Sequence, residues 1–97
     1  MRIGTWNLEN KWSDKHRDLL RSEGCDVWLL TEVNPQAVNR EGTIADYYCH
    51  ISEGSWCGQH WAAVLSIEPL SPFRPDPHEA SAAASVNGIT YCSTVLP

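Results

Sequence analysis

Residues 2–7, RIGTWN, carry the apolar Ile3 and Trp6 around the β-branched Thr5 and read as a strand that ends in polar residues. Ser13 then stands where a helix N-cap belongs. DKHRDLLRSE follows, with Leu19 and Leu20 on its apolar side, and Gly24 sits where a helix end wants a residue tolerant of positive φ. Next comes CDVWLLTEV, a continuous apolar run closing on Thr31 and Glu32, which reads as a strand covered on both faces. Strand, helix and strand within about 30 residues make a βαβ unit, whose two strands are expected to be parallel.

Beyond Pro35 the pattern changes. DYYCHIS (46–52) and HWAAVLSI (60–67) read as strands. SPFRPDPHE, with Pro72, Pro75 and Pro77, is a loop, because proline neither donates to a ladder nor leaves its φ free. ASAAASV and ITYCSTVL flank Asn87-Gly88, a pair suited to the two positive φ angles of a tight hairpin turn. The expected class is therefore α/β, a mixed sheet with a parallel βαβ opening and an antiparallel continuation, in a single domain over residues 1–97. One helix covers one face of five or six strands poorly. The pattern thus predicts an unfinished fold with a bare apolar sheet face, suited to pairing sheet on sheet as a homodimer or against a missing C-terminal half.

Composition narrows the partners. The 97 residues carry a formal charge of −5, which argues against a broad basic surface for duplex nucleic acid. Lys11, Lys15, Arg17 and Arg21 are interleaved with Asp14 and Asp18, as on an ordinary solvated helix face. Five tryptophans are a heavy load for a small domain, and some of those rings are expected to face a partner or a missing part of the fold. No long apolar run follows Met1 and Arg2, and none approaches the roughly 18 residues of a membrane helix, so the expected setting is cytoplasmic. In that setting Cys25, Cys49, Cys57 and Cys92 are expected to be thiols.

Candidate chemistry gathers where the first two strands end. If those strands are parallel neighbours, Asn7 and Glu32 lie at one sheet edge, outside the carboxyl ends where open α/β sheets place ligands. An amide and a carboxylate there suit Mg²⁺, which takes one or two protein carboxylates and keeps waters for a phosphate. A turn cap at Asn7 and a solvated strand end at Glu32 account for the same residues equally well. Cys49-His50 and Cys57-Gly58-Gln59-His60 hold soft ligands, but not at the paired spacing of common zinc sites. Ser66 and Ser71 have no histidine partner in recognisable order. Trp56 and Trp61 are candidates for stacking on a base or sugar, with packing as the plainer alternative.

TWNLEN followed by DVWLLTEV resembles the opening of the endonuclease/exonuclease/phosphatase (DNase-I-like) superfamily, with a first strand ending W-N-x-[NE] and a second reading D-[IV]-[IVL]-x-L-x-E. HWAAVLSIEP is similar to that family's G-x-A-[IV]-L-S strand, and ASVNGITYCSTVLP to its later hairpin. The resemblance implies the N-terminal half of a four-layer α/β sandwich and metal-dependent hydrolysis of a phosphodiester or phosphomonoester by an in-line water. It implies Glu32 as ligand of a catalytic Mg²⁺ (or Mn²⁺), Asn7 as a shaper of that site, and His60 at the substrate rim. The implied substrate is a phosphorylated small molecule or a short nucleic acid. Two departures bear on activity. The family's water-orienting G-D-x-N and its terminal Asp-His pair have no counterpart in residues 1–97, and its T-H-L histidine falls on Val95. The chain alone is therefore expected to be inactive. A reading of another class is a non-catalytic truncated module that works by self-association or partner binding.

Overall fold

The computed structural model describes residues 1–95. Strand β1 (Ile3–Asn7), helix α1 (Asp14–Glu23) and strand β2 (Val27–Val33) form the expected βαβ opening, with β1 and β2 parallel in the register Ile3↔Val27 to Asn7↔Thr31. Gly24 ends the helix at φ 63°. Ser13 occupies the cap position without capping through its side chain; its hydroxyl is hydrogen-bonded to His16 Nδ1 instead, at 2.8 Å.

A short 3-10 turn (Pro35–Ala37) leads into β3 (Thr43–Ile44), β4 (Tyr47–Ile51), β5 (Ser55–Trp56) and β6 (Gln59–Ser66). These strands complete a first sheet of order β1-β2-β6-β4-β3, with β5 folded back on β6. Its every pairing except β1–β2 is antiparallel. β7 (Ser71–Pro72), β8 (Ser81–Val86) and β9 (Ile89–Thr94) form a second, antiparallel sheet. The two-residue Asn87-Gly88 turn sets the β8–β9 register, Val86↔Ile89, with φ 49° and 80° at its two positions. Leu96, part of the expected last strand, lies outside the described residues.

The expectation of an α/β fold, and with it the N-terminal half of a four-layer α/β sandwich, is not met. Among the described residues nine strands stand against one α-helix, in a small β-rich domain of two sheets. One parallel pair at the start does not set the class, because no later segment supplies a second crossover helix. The bare apolar face is absent as well. Val27, Leu29, Ala62 and Val64 on the first sheet pack against Ala82, Ala84, Val86 and Tyr91 of the second. That contact removes the surface on which a face-to-face homodimer was expected to rest.

The other face of the first sheet carries larger groups. Trp28, Leu30, Ala63 and Leu65 pack with Leu8, Leu20, Ile44 and Tyr47 beneath the helix and the loops. Gly4 is required there, since a Cβ at that position would lie 2.5 Å from the Trp28 ring. Trp6 and Trp12 join this core in part, and Trp6 stacks on His16 with ring centroids 5.4 Å apart. Both helix arginines are paired, Arg17 with Asp14 at 3.2 Å and Arg21 with Asp46 at 2.8 Å, in keeping with a solvated face. No helix among the described residues is long and apolar enough to cross a membrane.

Candidate functional site

Register decides which side chains meet at the sheet edge. The parallel pairing brings the ends of β1 and β2 to one edge, with Asn7 opposite Thr31. β6 runs the other way and begins at that edge, Thr31 facing Ala62 and Val33 facing His60, and Trp61 falls between those two pairs, beside Glu32. The β5–β6 hairpin then sets Ser55 against His60 and Trp56 against Gln59. Asn7, Glu32, His60, Trp61 and Trp56 therefore occupy one edge of one sheet.

Glu32 is the unusual residue among them. Its φ is 52°, in the left-handed region that a side chain with a Cβ rarely adopts and that costs on the order of 1–3 kcal/mol. The strand alternates normally up to this point, Val27 and Leu29 facing the second sheet and Trp28 and Leu30 the helix. Val33 should follow Val27 and Leu29, but it packs in the helix-side core. The left-handed residue thus resets the alternation and re-aims its own side chain. Two more left-handed residues, Glu9 (φ 53°) and Asn10 (φ 61°), lie in the loop after β1. Main-chain bonds join that loop to β2: Leu8 N–H donates to Thr31 O at 3.0 Å, and Asn10 N–H to Glu32 O at 2.8 Å. Asn34 Nδ2 donates to Asn10 O at 2.8 Å.

The Glu32 side chain is half-buried, and its carboxylate makes no hydrogen bond or ion pair with any described residue. Asn7 is exposed, and its Oδ1 accepts the Glu9 N–H at 2.9 Å, which leaves that oxygen one lone pair. Asn7 lines a groove of about 580 Å³ with Thr5, Leu29 and Thr31 on the first sheet and Ser93 on the second. Glu32 is not in that groove. The two residues share an edge, then, with Asn7 in register with Thr31 and no hydrogen bond between their side chains. Among the described residues no three of His, Cys, Asp and Glu converge on a metal position. One carboxylate and one half-free amide oxygen fit only an ion that keeps most of its water, as Mg²⁺ does.

His60 is half-buried, and its Nδ1 is enclosed without a hydrogen-bond partner. Trp56 and Trp61 stack, with centroids 5.6 Å apart and planes 11° from parallel. The other soft-ligand candidates separate. Cys49 Sγ donates to Gly42 O at 3.1 Å on the helix side, and burial pushes its thiol up to about 11. Its neighbour His50 projects to the opposite face of the strand. All four cysteines are free thiols.

Sequence reasoning missed the contact that His50 makes. Its Nε2 is hydrogen-bonded to Asp76 Oδ1 at 2.7 Å, both side chains being more than nine-tenths buried, and Asp76 Oδ2 accepts the Glu53 N–H at 2.9 Å. Burial alone would raise the Asp76 pKa, but the hydrogen bonds from His50 and Glu53 outweigh it and hold the carboxyl below its ordinary value. This pair pins the proline-rich segment to β4. An aspartate between two prolines is the one local signal of such a role, and nothing in the pattern links it to a histidine 26 residues earlier. Comparison of the chain with protein-family models, curated proteins and solved structures returned no match.

Proposed function

We propose that the edge formed by Asn7 and Glu32 binds a hydrated divalent cation, Mg²⁺ or Mn²⁺, and through it a phosphoester. The observation that carries this reading is Glu32 itself, a half-buried carboxylate with no partner among the described residues, held in a left-handed conformation at the end of a strand. Strain of that kind persists where surrounding structure enforces it, and it concentrates at binding and catalytic sites. The ion, when bound, would stabilise charge on the phosphoryl oxygens. Glu32 holds the ion, Asn7 offers its remaining lone pair at the same edge, and the hydrogen bonds from Leu8 and Asn10 keep the two strand ends together. The parent chemistry is phosphodiester or phosphomonoester hydrolysis. The chain by itself binds without measurable turnover, because the motif that would orient the attacking water has no counterpart in it.

Titration with Mn²⁺ followed by electron paramagnetic resonance tests this. The wild type should bind weakly, and Glu32→Gln should lose that binding while folding as before. Equal binding by the two proteins would overturn the assignment. A second reading, a non-catalytic module that pairs with another chain, is favoured by β1 and β9, each the outermost strand of its sheet. Such strands present unpaired main-chain groups. Self-association by sedimentation, together with absence of Mn²⁺ binding, would select that reading.

A further inference from the structure

Trp56 and Trp61 belong to neither apolar core. Trp56 is 56% exposed although one of its faces lies on Trp61. Its outer face is therefore open to water. The hairpin that carries it turns at Cys57-Gly58 with φ 50° and 78°, and Gln59, across from Trp56, is buried. Trp61 thus acts as a backing wall that holds Trp56 flat and outward. Core packing does not require this arrangement, because an indole left more than half exposed forfeits most of the stabilisation that burial would provide.

Its position gives it a use. Trp61 falls between the pairs Thr31↔Ala62 and Val33↔His60, beside Glu32, and Trp56 is paired to Gln59 one strand further on and two residues along, so two strand spacings and that offset, together ~12 Å, separate the Glu32 backbone from the platform. That is about the span of a nucleotide from its base to its phosphates. We infer that Trp56 is a stacking platform for a nucleobase, and that the ligand of the Glu32 edge is a nucleotide, free or at the end of a short single strand. The inference rests on the cation-phosphoester reading for the phosphate end and on the tryptophan pair alone for the base end. A flat ring face suits any base. A neutral sugar could also stack there, but it offers no anion to a cation held by Glu32. The chain's net charge of −5 disfavours a long polyanion.

Calorimetry on the 97-residue chain tests the two ends separately, using adenosine monophosphate, adenosine, ribose 5-phosphate and an adenine pentanucleotide, with and without Mg²⁺. In Mg²⁺, adenosine monophosphate should bind roughly tenfold or more tightly than ribose 5-phosphate. Trp56→Ala should abolish that preference, and Trp56→Phe should retain most of it. Both variants should keep the Mn²⁺ binding of the wild type, since Trp56 is on the surface and away from the cation. Tighter binding of the pentanucleotide than of the mononucleotide would identify a strand end as the source of the base, and the reverse a free nucleotide. Equal affinity for adenosine monophosphate and ribose 5-phosphate, or undiminished adenosine monophosphate binding in Trp56→Ala, would overturn the platform. Adenosine binding lost in Trp56→Ala, combined with nucleotide binding indifferent to Mg²⁺ and to Glu32→Gln, would keep the platform and overturn the cation site. No binding of any adenine compound would overturn the platform, with Mn²⁺ titration reporting independently on Glu32.

Discussion

The two faces of the first sheet are built from different materials. The helix side is filled by Trp28, Leu30, Leu65, Leu20, Ile44 and Tyr47, large groups that fill the space under a helix and irregular loops. The side toward the second sheet is lined by Val27, Ala62 and Val64 and met by Ala82, Ala84 and Val86. Small side chains allow the second sheet to lie close, near enough for Ser93 Oγ to donate to Leu30 O at 2.7 Å across the gap. The contrast teaches that one face is held by volume and the other by proximity. The first should be sensitive to loss of atoms and the second to their addition.

Adjacent residues of β6 test this most directly, since Leu65 faces the helix and Val64 faces the second sheet, both fully buried. Leu65→Ala should show the largest effect, a loss of about 2–5 kcal/mol in urea unfolding. Val64→Ala should cost roughly half as much, because it removes fewer methyl groups. A larger loss at Val64 would reverse the comparison. Next comes Ala84→Leu, expected to destabilise by about 1–3 kcal/mol through overpacking between the sheets. A neutral result would mean that the gap has room to spare and that proximity is not what holds it.

The smallest effect concerns Asp76, whose bond to His50 fastens the proline-rich segment that leads into the second sheet. Asp76→Asn keeps one acceptor and should cost about 1–2 kcal/mol near neutral pH. The sign of the pH dependence follows from the depressed pKa. A carboxyl held below its ordinary value stabilises the fold above that value and loses its contribution as pH falls through the folded pKa. Wild type should therefore lose stability below about pH 4 more steeply than Asp76→Asn does. Parallel acid-unfolding curves would show that this carboxylate contributes nothing to the latch.

The parts of this fold that sequence reveals are those with a local signature. The βαβ opening is visible because hydrophobic spacing shifts from strand to helix and back between Arg2 and Val33, and the β8–β9 hairpin because Asn87-Gly88 admits few other conformations. The class is not visible in the same way. Ser81–Val86 has helix-forming alanines, and only contact with Ala62 and Val64, far away in the chain, explains why they lie in a second sheet covering the first. At the candidate site, the pattern places Asn7 and Glu32 at one edge. It conceals the left-handed turn at Glu32, because glutamate has no special tolerance for positive φ and long-range pairing imposes it. It shows two tryptophans near a turn, but the stacking of Trp56 on Trp61 comes from hairpin register. The His50–Asp76 bond is a tertiary event with no periodic trace.

The order of the two sheets along the chain has a consequence in time. The second sheet is made of residues 71–94, and its partner surface, Val27, Leu29, Ala62 and Val64, precedes it entirely. During synthesis from the N-terminus, the first sheet can assemble on its helix side while its other face is still uncovered. That face remains wet and adhesive until the β8–β9 hairpin emerges and closes over it, a wait of seconds at ordinary rates of about 5–20 residues per second. The tight Asn87-Gly88 turn adds almost nothing to that wait, because a hairpin with a two-residue loop can form within microseconds of leaving the ribosome, about 1–10 μs, and arrive as a preassembled lid.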